Sequence, residues 1–377
     1  MSDAPSLASD DRASSEAHSA PTGPTNGVRA AHDPPSDGAS TNGAPSLLDD
    51  RSIPTSLDAI RAPVTDELEG FREYFREAMR QDSFLLDKVT QYVLRQKGKR
   101  IRPLLVLLSA KLCGGAVTDT SYRAAALVEL LHTATLVHDD VVDDAEERRG
   151  MFSINALWKN KISVLFGDFL LSRGLLLSLD HHDYDILHTM SDAVRRMSEG
   201  ELLQIEKSRL LNIDEATYFD IISDKTASLI AACTKSGAVS TAEDEATIER
   251  MAQFGEKLGL AFQIRDDLFD FRTEDAGKPV GIDLQEKKLT LPLIVALREA
   301  PRSERRRIMK IVRQDDKSTN DLREVTQFVT AYDGIDYART TMQGLADDAL
   351  ALLRPFPPSP SRDALVGLTR FTIRRSR

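Results

Sequence analysis

Two short acidic rows stand out as the groups able to do chemistry. The first, VHDDVVDDAEERRG at residues 137–150, sets Asp139, Asp140 and Asp143 in the form DDxxD; the second, QIRDDLFDF at 263–271, repeats it with Asp266, Asp267 and Asp270. On a helix, residues four apart share a face, and like charges there cost about 0.2–0.5 kcal/mol per pair. Something cationic must compensate. Hard carboxylate oxygens suit Mg²⁺, which takes one or two carboxylates, keeps several waters and completes its shell with phosphate oxygens. One acidic row alone is more often a solvated helix face; two of the same form, each on an otherwise apolar helix, point to a metal site.

Basic residues complement the rows. GKRIRP at 98–103 supplies Lys99, Arg100 and Arg102 ahead of an apolar run, and Arg148 and Arg149 follow the first row. Farther on, GKPVGIDLQEKKLTLP brings Lys278, Asp283 and Lys288 into a loop with glycine and proline, expected to act as a flexible lid. Guanidinium forks and ammonium groups suit phosphate oxygens. Each basic pair alone would pass as surface decoration; beside the acidic rows they point to a diphosphate substrate.

The elements that must position these groups read as helices. LEGFREYFREAM spaces Leu68, Phe71, Phe75 and Met79 at intervals of three and four, lining one face. ELLHTATLVHDDVVDD, ISVLFGDFLLSRGLLLSL, AVRRMSEGELLQIE, ASLIAACTKSGA and MAQFGEKLGLAFQIRDDLFDF continue the habit, several apolar on more than one face and so expected to be central. Strand signals are nearly absent, with no alternating run joined by an Asn-Gly or Asp-Gly turn. The expected fold is all-α, a single large helical bundle whose helices end at breaks such as CGGAVT and AGKPVG.

Composition narrows the function classes. Hydrophobic residues at 41% and charged residues at 29% are ordinary for a globular chain, which excludes a fibre or coiled coil. A net charge of −10 disfavours nucleic-acid binding through a basic surface, so no nucleic-acid partner is expected. Cys113 and Cys233 form no CxxC pair and have no neighbouring histidine ligands, which argues against zinc and suits a reducing cytoplasm. No apolar run is expected to approach the roughly 20 residues of a membrane span, the longest candidate being PLLVLLSAKL, interrupted by Lys111. No secretion signal or transit peptide is expected at the N-terminus.

Residues 1–55 form a Ser/Ala/Pro/Gly-rich extension with little to bury, expected to be disordered, while residues 56–377 carry the catalytic domain. Eight acids against two arginines give residues 1–50 a surplus of six negative charges, so most of the net charge belongs to the extension.

From about residue 56 onward the chain resembles the trans-polyprenyl diphosphate synthases, the family that includes octaprenyl, heptaprenyl and geranylgeranyl diphosphate synthases. The ordered motifs GKRIRP, ELLHTATLVHDDVVD, RRG, NKISVLFGDFLLSR, SEGELLQ, DKTASL, FQIRDDLFDF and GKPVGIDL carry the resemblance. A lone DDxxD would be weak, whereas the set in order is specific. The resemblance implies an isoprenoid synthase fold, helices around a deep central cavity, usually as a homodimer.

It also implies roles. Asp139, Asp140 and Asp143, facing Asp266, Asp267 and Asp270, would bind Mg²⁺ bridged to the diphosphate of an allylic substrate, with Arg148 on the same diphosphate. Lys225, Thr226 and Gln263 would guide its departure, and Lys278 and Lys288 would bind substrate from the lid. Isopentenyl diphosphate would be held by Lys99, Arg102, His132 and Arg149. His132 taken alone would pass as a core histidine; its position seven residues before Asp139 matches the family's. Ala134 and Thr135 lie one turn before the first row, where they would form the upper wall of the product tunnel. Both are small, without the aromatic or the two-residue insertion of short-chain members, so a long-chain product is expected over farnesyl or geranylgeranyl diphosphate. A long lipid product further suggests a cytoplasmic enzyme in transient contact with membrane, although no basic amphipathic helix marks an anchor.

Two departures from the family pattern touch the lid and the entry to a helix. The usual EGK reads EKK at Glu286, Lys287 and Lys288, and the usual glycine between Trp158 and Asn160 is Lys159. The C-terminal FTIRRSR reads as a solvated tail. A metal phosphohydrolase suggested by His132 and His138-Asp139 would leave the second row unexplained, and a class I terpene cyclase would not need Lys99, Arg102 and His132. A noncatalytic subunit of a heteromeric synthase would typically lose an acidic row, and both rows are intact.

Overall fold

The computed structural model describes residues 53–95, 98–148, 150–271 and 281–374. Of the expected features, most of the N-terminal extension, Arg149 and Lys278 lie outside the described residues.

The chain enters through α1 (Leu57–Arg61), whose first turn is capped by the Ser56 hydroxyl accepting from Ala59 N, and a short 3₁₀ turn leads into α2 (Thr65–Ala78). The expected face of α2 is the buried one: Leu68, Phe71 and Phe75. Next come α3 (Phe84–Arg95), α4 (Ile101–Gly114) and α5 (Asp119–Val142), the last opened by a capping box between Thr118 and Ser121. α4 and α5 are buried nearly all round, as helices apolar on several faces must be.

A hairpin of two two-residue strands, β1 (Glu147–Arg148) and β2 (Met151–Phe152), follows the first acidic row. Gly150, at φ 72, supplies the left-handed turn. The remaining helices are α6 (Ile154–Asp180), α7 (Tyr184–Leu210), α8 (Glu215–Ile222), α9 (Ser228–Val239), α10 (Glu245–Phe269), α11 (Ile282–Gln285), α12 (Leu291–Glu299), α13 (Arg302–Val312), α14 (Thr319–Ala331), α15 (Gly334–Leu353) and α16 (Pro360–Arg374). The all-α expectation holds among the described residues.

Close helix approach sets the core. α5 packs along α6, and α9 lies between α4, α7 and α10. A Cβ at Gly167 of α6 would fall on the His138 ring of α5, so the glycine leaves room for that ring where the helices cross. Gly259 of α10 meets Ala227 in the same way, where an added Cβ would stand 2.6 Å from the Ala227 Cα.

One expectation is corrected. α6 is long and apolar enough, by length and composition alone, to cross a membrane, with 33% of its most apolar stretch buried. The sequence masked it because Asp168 and Arg173 interrupt the apolar run. Wound as a helix, Phe166, Gly167, Leu170 and Gly174 pack inward, while Leu157, Val164, Leu165, Leu175, Leu176 and Leu179 form an exposed stripe on the other side. Near the start of α6, Lys159 adopts φ 69, ψ 164 and kinks the helix. That conformation is essentially a glycine one, which accounts for the glycine of the family pattern.

Candidate active site

Both acidic rows end their helices. Asp139 and Asp140 lie in the last turn of α5 and Asp143 caps it, its N–H donating to the Asp139 carbonyl at 2.8 Å. Asp266 and Asp267 lie in the last turn of α10 and Asp270 caps that helix. Each third aspartate therefore sits just past the regular helix yet keeps a right-handed conformation that holds it near the face of its row.

Within each row the middle aspartate is set apart. Asp140 is buried and accepts from Arg148 Nε; burial pushes its carboxyl up, and the Arg148 hydrogen bond pulls it partly back. Asp267, also buried, accepts from Tyr218 Oη at 2.5 Å and Gln263 Nε2 at 2.9 Å. Its burial outweighs those bonds and pushes the carboxyl to about 7. Asp139, by contrast, is exposed, its carboxyl raised by desolvation and by Asp143 alongside it. Asp266 has Arg265 at 3.5 Å, and Asp270 accepts from the Gly281 N–H at 3.0 Å.

Between the rows the chain forms a π-turn, Ser223–Ala227, joining α8 to α9. Such turns widen the backbone by one residue and often mark functional sites. Here the widening lets consecutive residues serve different partners. Lys225 pairs with Glu201 and donates to Gln204 Oε1 at 3.0 Å, both on α7. Thr226 donates to Gln263 Oε1 at 2.8 Å, and Gln263 in turn holds Asp267. Gly200 makes room for the turn, since a Cβ there would stand 2.7 Å from the Lys225 backbone N. A second brace holds the turn from behind: Arg196 donates to Asp224 at 2.7 Å and to the Ser223 hydroxyl at 2.8 Å.

A cleft of about 920 Å³ opens at the end of α5, lined by Asp139, Asp143, Glu201, Gln204, Lys225 and Arg209 with Glu286, Lys287, Lys288 and Arg313 across from them. Lys288 comes from the segment expected as a lid and pairs with Glu286 at 2.5 Å; burial works against its charge, but Glu286 and Asp283 more than compensate and raise it. The second row does not line this cleft directly; the Thr226–Gln263–Asp267 chain joins it to the Lys225 side. Glu201, Gln204 and Tyr218 were not singled out from sequence; the i, i+3 spacing of Glu201 and Gln204 in SEGELLQ was the available signal.

The other expected residues lie along α4 and α5. His132 is buried on α5. Arg102, in the first turn of α4, is half-buried and acts electrostatically on buried Cys233 of α9, as does Glu129, one turn before His132. Lys99 is exposed, its carbonyl accepting from Arg61 Nη2 at 2.5 Å. Ala134 is fully buried, and Thr135, half-buried, donates its hydroxyl to the His132 carbonyl at 2.9 Å. Neither lines the cleft itself.

The donor set fits a hard divalent cation. Carboxylates dominate both rows, yet among the described residues no three acidic, histidine or cysteine side chains stand close enough to hold an ion unaided. That suits a cation whose remaining ligands are waters and phosphate oxygens.

Residues 84–329 match the family model described as polyprenyl synthetase. An all-trans-nonaprenyl-diphosphate synthase (geranyl-diphosphate specific) from Rhodobacter capsulatus is 36% identical over 319 residues, 84% of this chain and 97% of that protein. A polyprenyl synthase from Caulobacter crescentus, solved with calcium and isoprenyl diphosphate, superposes with a TM-score of 0.77 at 35% identity, covering 85% of this chain and 98% of that one. A decaprenyl diphosphate synthase structure from Rhodobacter capsulatus gives 0.80 at 33% identity, covering 85% and 100%.

Proposed function

Because this chain belongs to the polyprenyl synthetase family, we propose that it is a trans-polyprenyl diphosphate synthase, condensing isopentenyl diphosphate with an allylic diphosphate into a long-chain product. The observation that carries the reading is the π-turn, whose Lys225 serves the cleft below the first row while Thr226, through Gln263, serves the second.

Asp139 with Asp143, and Asp266 with Asp270, would hold divalent cations, which we take to be Mg²⁺, each completed by waters and diphosphate oxygens. Bound there, such ions would neutralise the allylic diphosphate and make pyrophosphate a better leaving group. Asp140 and Asp267, expected as metal ligands, would instead act as positioning residues, since Asp140 Oδ1 already accepts from Arg148 and both oxygens of Asp267 accept, from Tyr218 and Gln263. Arg148, Lys225 and Lys288 bear on the diphosphate. As the carbon–oxygen bond breaks, its electron pair leaves with pyrophosphate, and the Thr226 and Gln263 dipoles face the developing allylic cation. Lys99, Arg102, His132 and Arg149 hold isopentenyl diphosphate with its double bond toward that cation. The new carbon–carbon bond forms, and a proton passes to the departing pyrophosphate, so no dedicated protein base is needed.

A tunnel walled by Ala134 and Thr135 would receive the growing chain. The exposed apolar stripe of α6 supports a homodimer, because a contiguous surface of this kind is otherwise costly in water. Residues 56–377 would then be the catalytic domain, with the N-terminal extension outside it. The enzyme would work in the cytoplasm and touch membrane only when releasing product.

Pyrophosphate release from labelled substrates tests the chemistry. Release should require both substrates, vanish with EDTA and return with added Mg²⁺; release unaffected by EDTA would refute the metal-dependent reading. Sedimentation of Leu165→Glu/Leu176→Glu tests the dimer, which should fall to a monomer.

A further inference from the structure

A second cleft, sharing no lining residue with the one at Asp139 and Asp143, is basic. It measures about 450 Å³ and is lined by five guanidinium groups, from Arg61, Arg72, Arg76, Arg95 and Arg100, over an apolar floor that includes Leu68 and Phe75. No acid lines it.

Several features of the cleft are costly without a ligand. Arg72 and Arg76 sit four apart on α2, a like-charge spacing that costs about 0.2–0.5 kcal/mol. Among the described residues no carboxylate pairs with Arg72, Arg76 or Arg95. Arg100 is held at φ 48, in the left-handed region, as the N-cap of α4. Desolvation lowers the pKa of its guanidinium, and the facing charges of Arg72 and Arg76 lower it further, with Glu129 the acid acting the other way. Among the described residues, Arg61 is tied down by Asp58 at 3.5 Å and by the Lys99 carbonyl.

We infer that this cleft binds a phosphate-bearing anion, as a site separate from the one between the acidic rows. Convergent guanidinium forks match phosphate oxygens in a way that single lysines do not. The apolar floor would accept the organic part of a phosphate ester. Either a free diphosphate or an anionic phospholipid headgroup offers this chemistry. Through Arg61 and the Lys99 carbonyl, an occupant would also stiffen the segment just before α4 that carries Lys99.

Calorimetric titration with inorganic diphosphate in EDTA tests the site, because without a divalent cation the acidic rows repel the probe. The double variant Arg72→Gln/Arg76→Gln, altered only at exposed positions, is compared with Arg102→Gln, altered at the proposed isopentenyl diphosphate site. The double variant should bind at least tenfold more weakly, while Arg102→Gln retains this binding event and both unfold at the wild-type temperature. Unchanged binding in the double variant would overturn the inference, as would equal loss in Arg102→Gln. Flotation with phosphatidylcholine vesicles containing phosphatidylglycerol then separates the sources. Flotation lost in the double variant identifies a lipid headgroup, and diphosphate binding without flotation identifies a free anion.

Discussion

The Thr226 hydroxyl donates to Gln263 Oε1 at 2.8 Å, and the Nε2 of the same Gln263 donates to Asp267 Oδ1 at 2.9 Å. One glutamine thus ties the π-turn to the second acidic row, and its orientation is fixed because both of its ends are engaged.

Thr226→Val keeps the shape and removes the donor. We expect elongation to slow roughly tenfold to a hundredfold, the usual loss when a supporting partner of a metal-site residue is removed. Unfolding temperature should stay close to wild type, and Thr226→Ser should recover most of the rate in a steady-state pyrophosphate assay.

Thr135 lies one turn before Asp139 and is half-buried, its hydroxyl satisfied within its own helix. Thr135→Phe should shorten the product toward farnesyl and geranylgeranyl diphosphate while leaving the first condensation intact. Chromatography of the dephosphorylated products checks this, and an unaltered ladder would place the tunnel wall elsewhere.

Lys159 carries a backbone conformation that costs a residue with a side chain about 1–3 kcal/mol. Lys159→Gly should therefore raise the unfolding temperature in a thermal melt. A lower temperature would mean that the lysine side chain contributes more than the strain costs.

Burial pushes the thiols of Cys113 and Cys233 up to about 12. Both stay protonated below that pH in the folded state, so N-ethylmaleimide at pH 8 should label the native protein far more slowly than the unfolded one. The folded-state value lies above the unfolded one, near 9, so the native state holds protons that the unfolded state loses. Their contribution to stability is present below pH 9 and is lost as pH rises from there toward 12. Denaturant melts across that window measure it.

The spacing of Asp139 with Asp143 and of Asp266 with Asp270 was legible because helical periodicity alone brings residues four apart together. The separate environments of Asp139 and Asp140 were not, since burial of Asp140 depends on Arg148 returning from the β1–β2 hairpin. Nor was the π-turn at Ser223–Ala227, whose wider backbone has no composition of its own. It becomes necessary only once Lys225 must reach α7 while Thr226 reaches α10. ISVLFGDFLLSRGLLLSL was legible as a helix, but its exposed apolar stripe was not, because Asp168 and Arg173 break the run in sequence while leaving the stripe intact in space. The small residues Ala134 and Thr135 were visible in sequence, but the far end of the tunnel they would open into was not, because residues from several helices must form it.

The central claim is chain elongation to a long product, and the product distribution tests it most directly. Purified protein with Mg²⁺, labelled isopentenyl diphosphate and an allylic primer should yield a ladder that climbs past geranylgeranyl diphosphate and disappears with EDTA. A ladder that stops at farnesyl or geranylgeranyl diphosphate, or no elongation from folded protein, would contradict it.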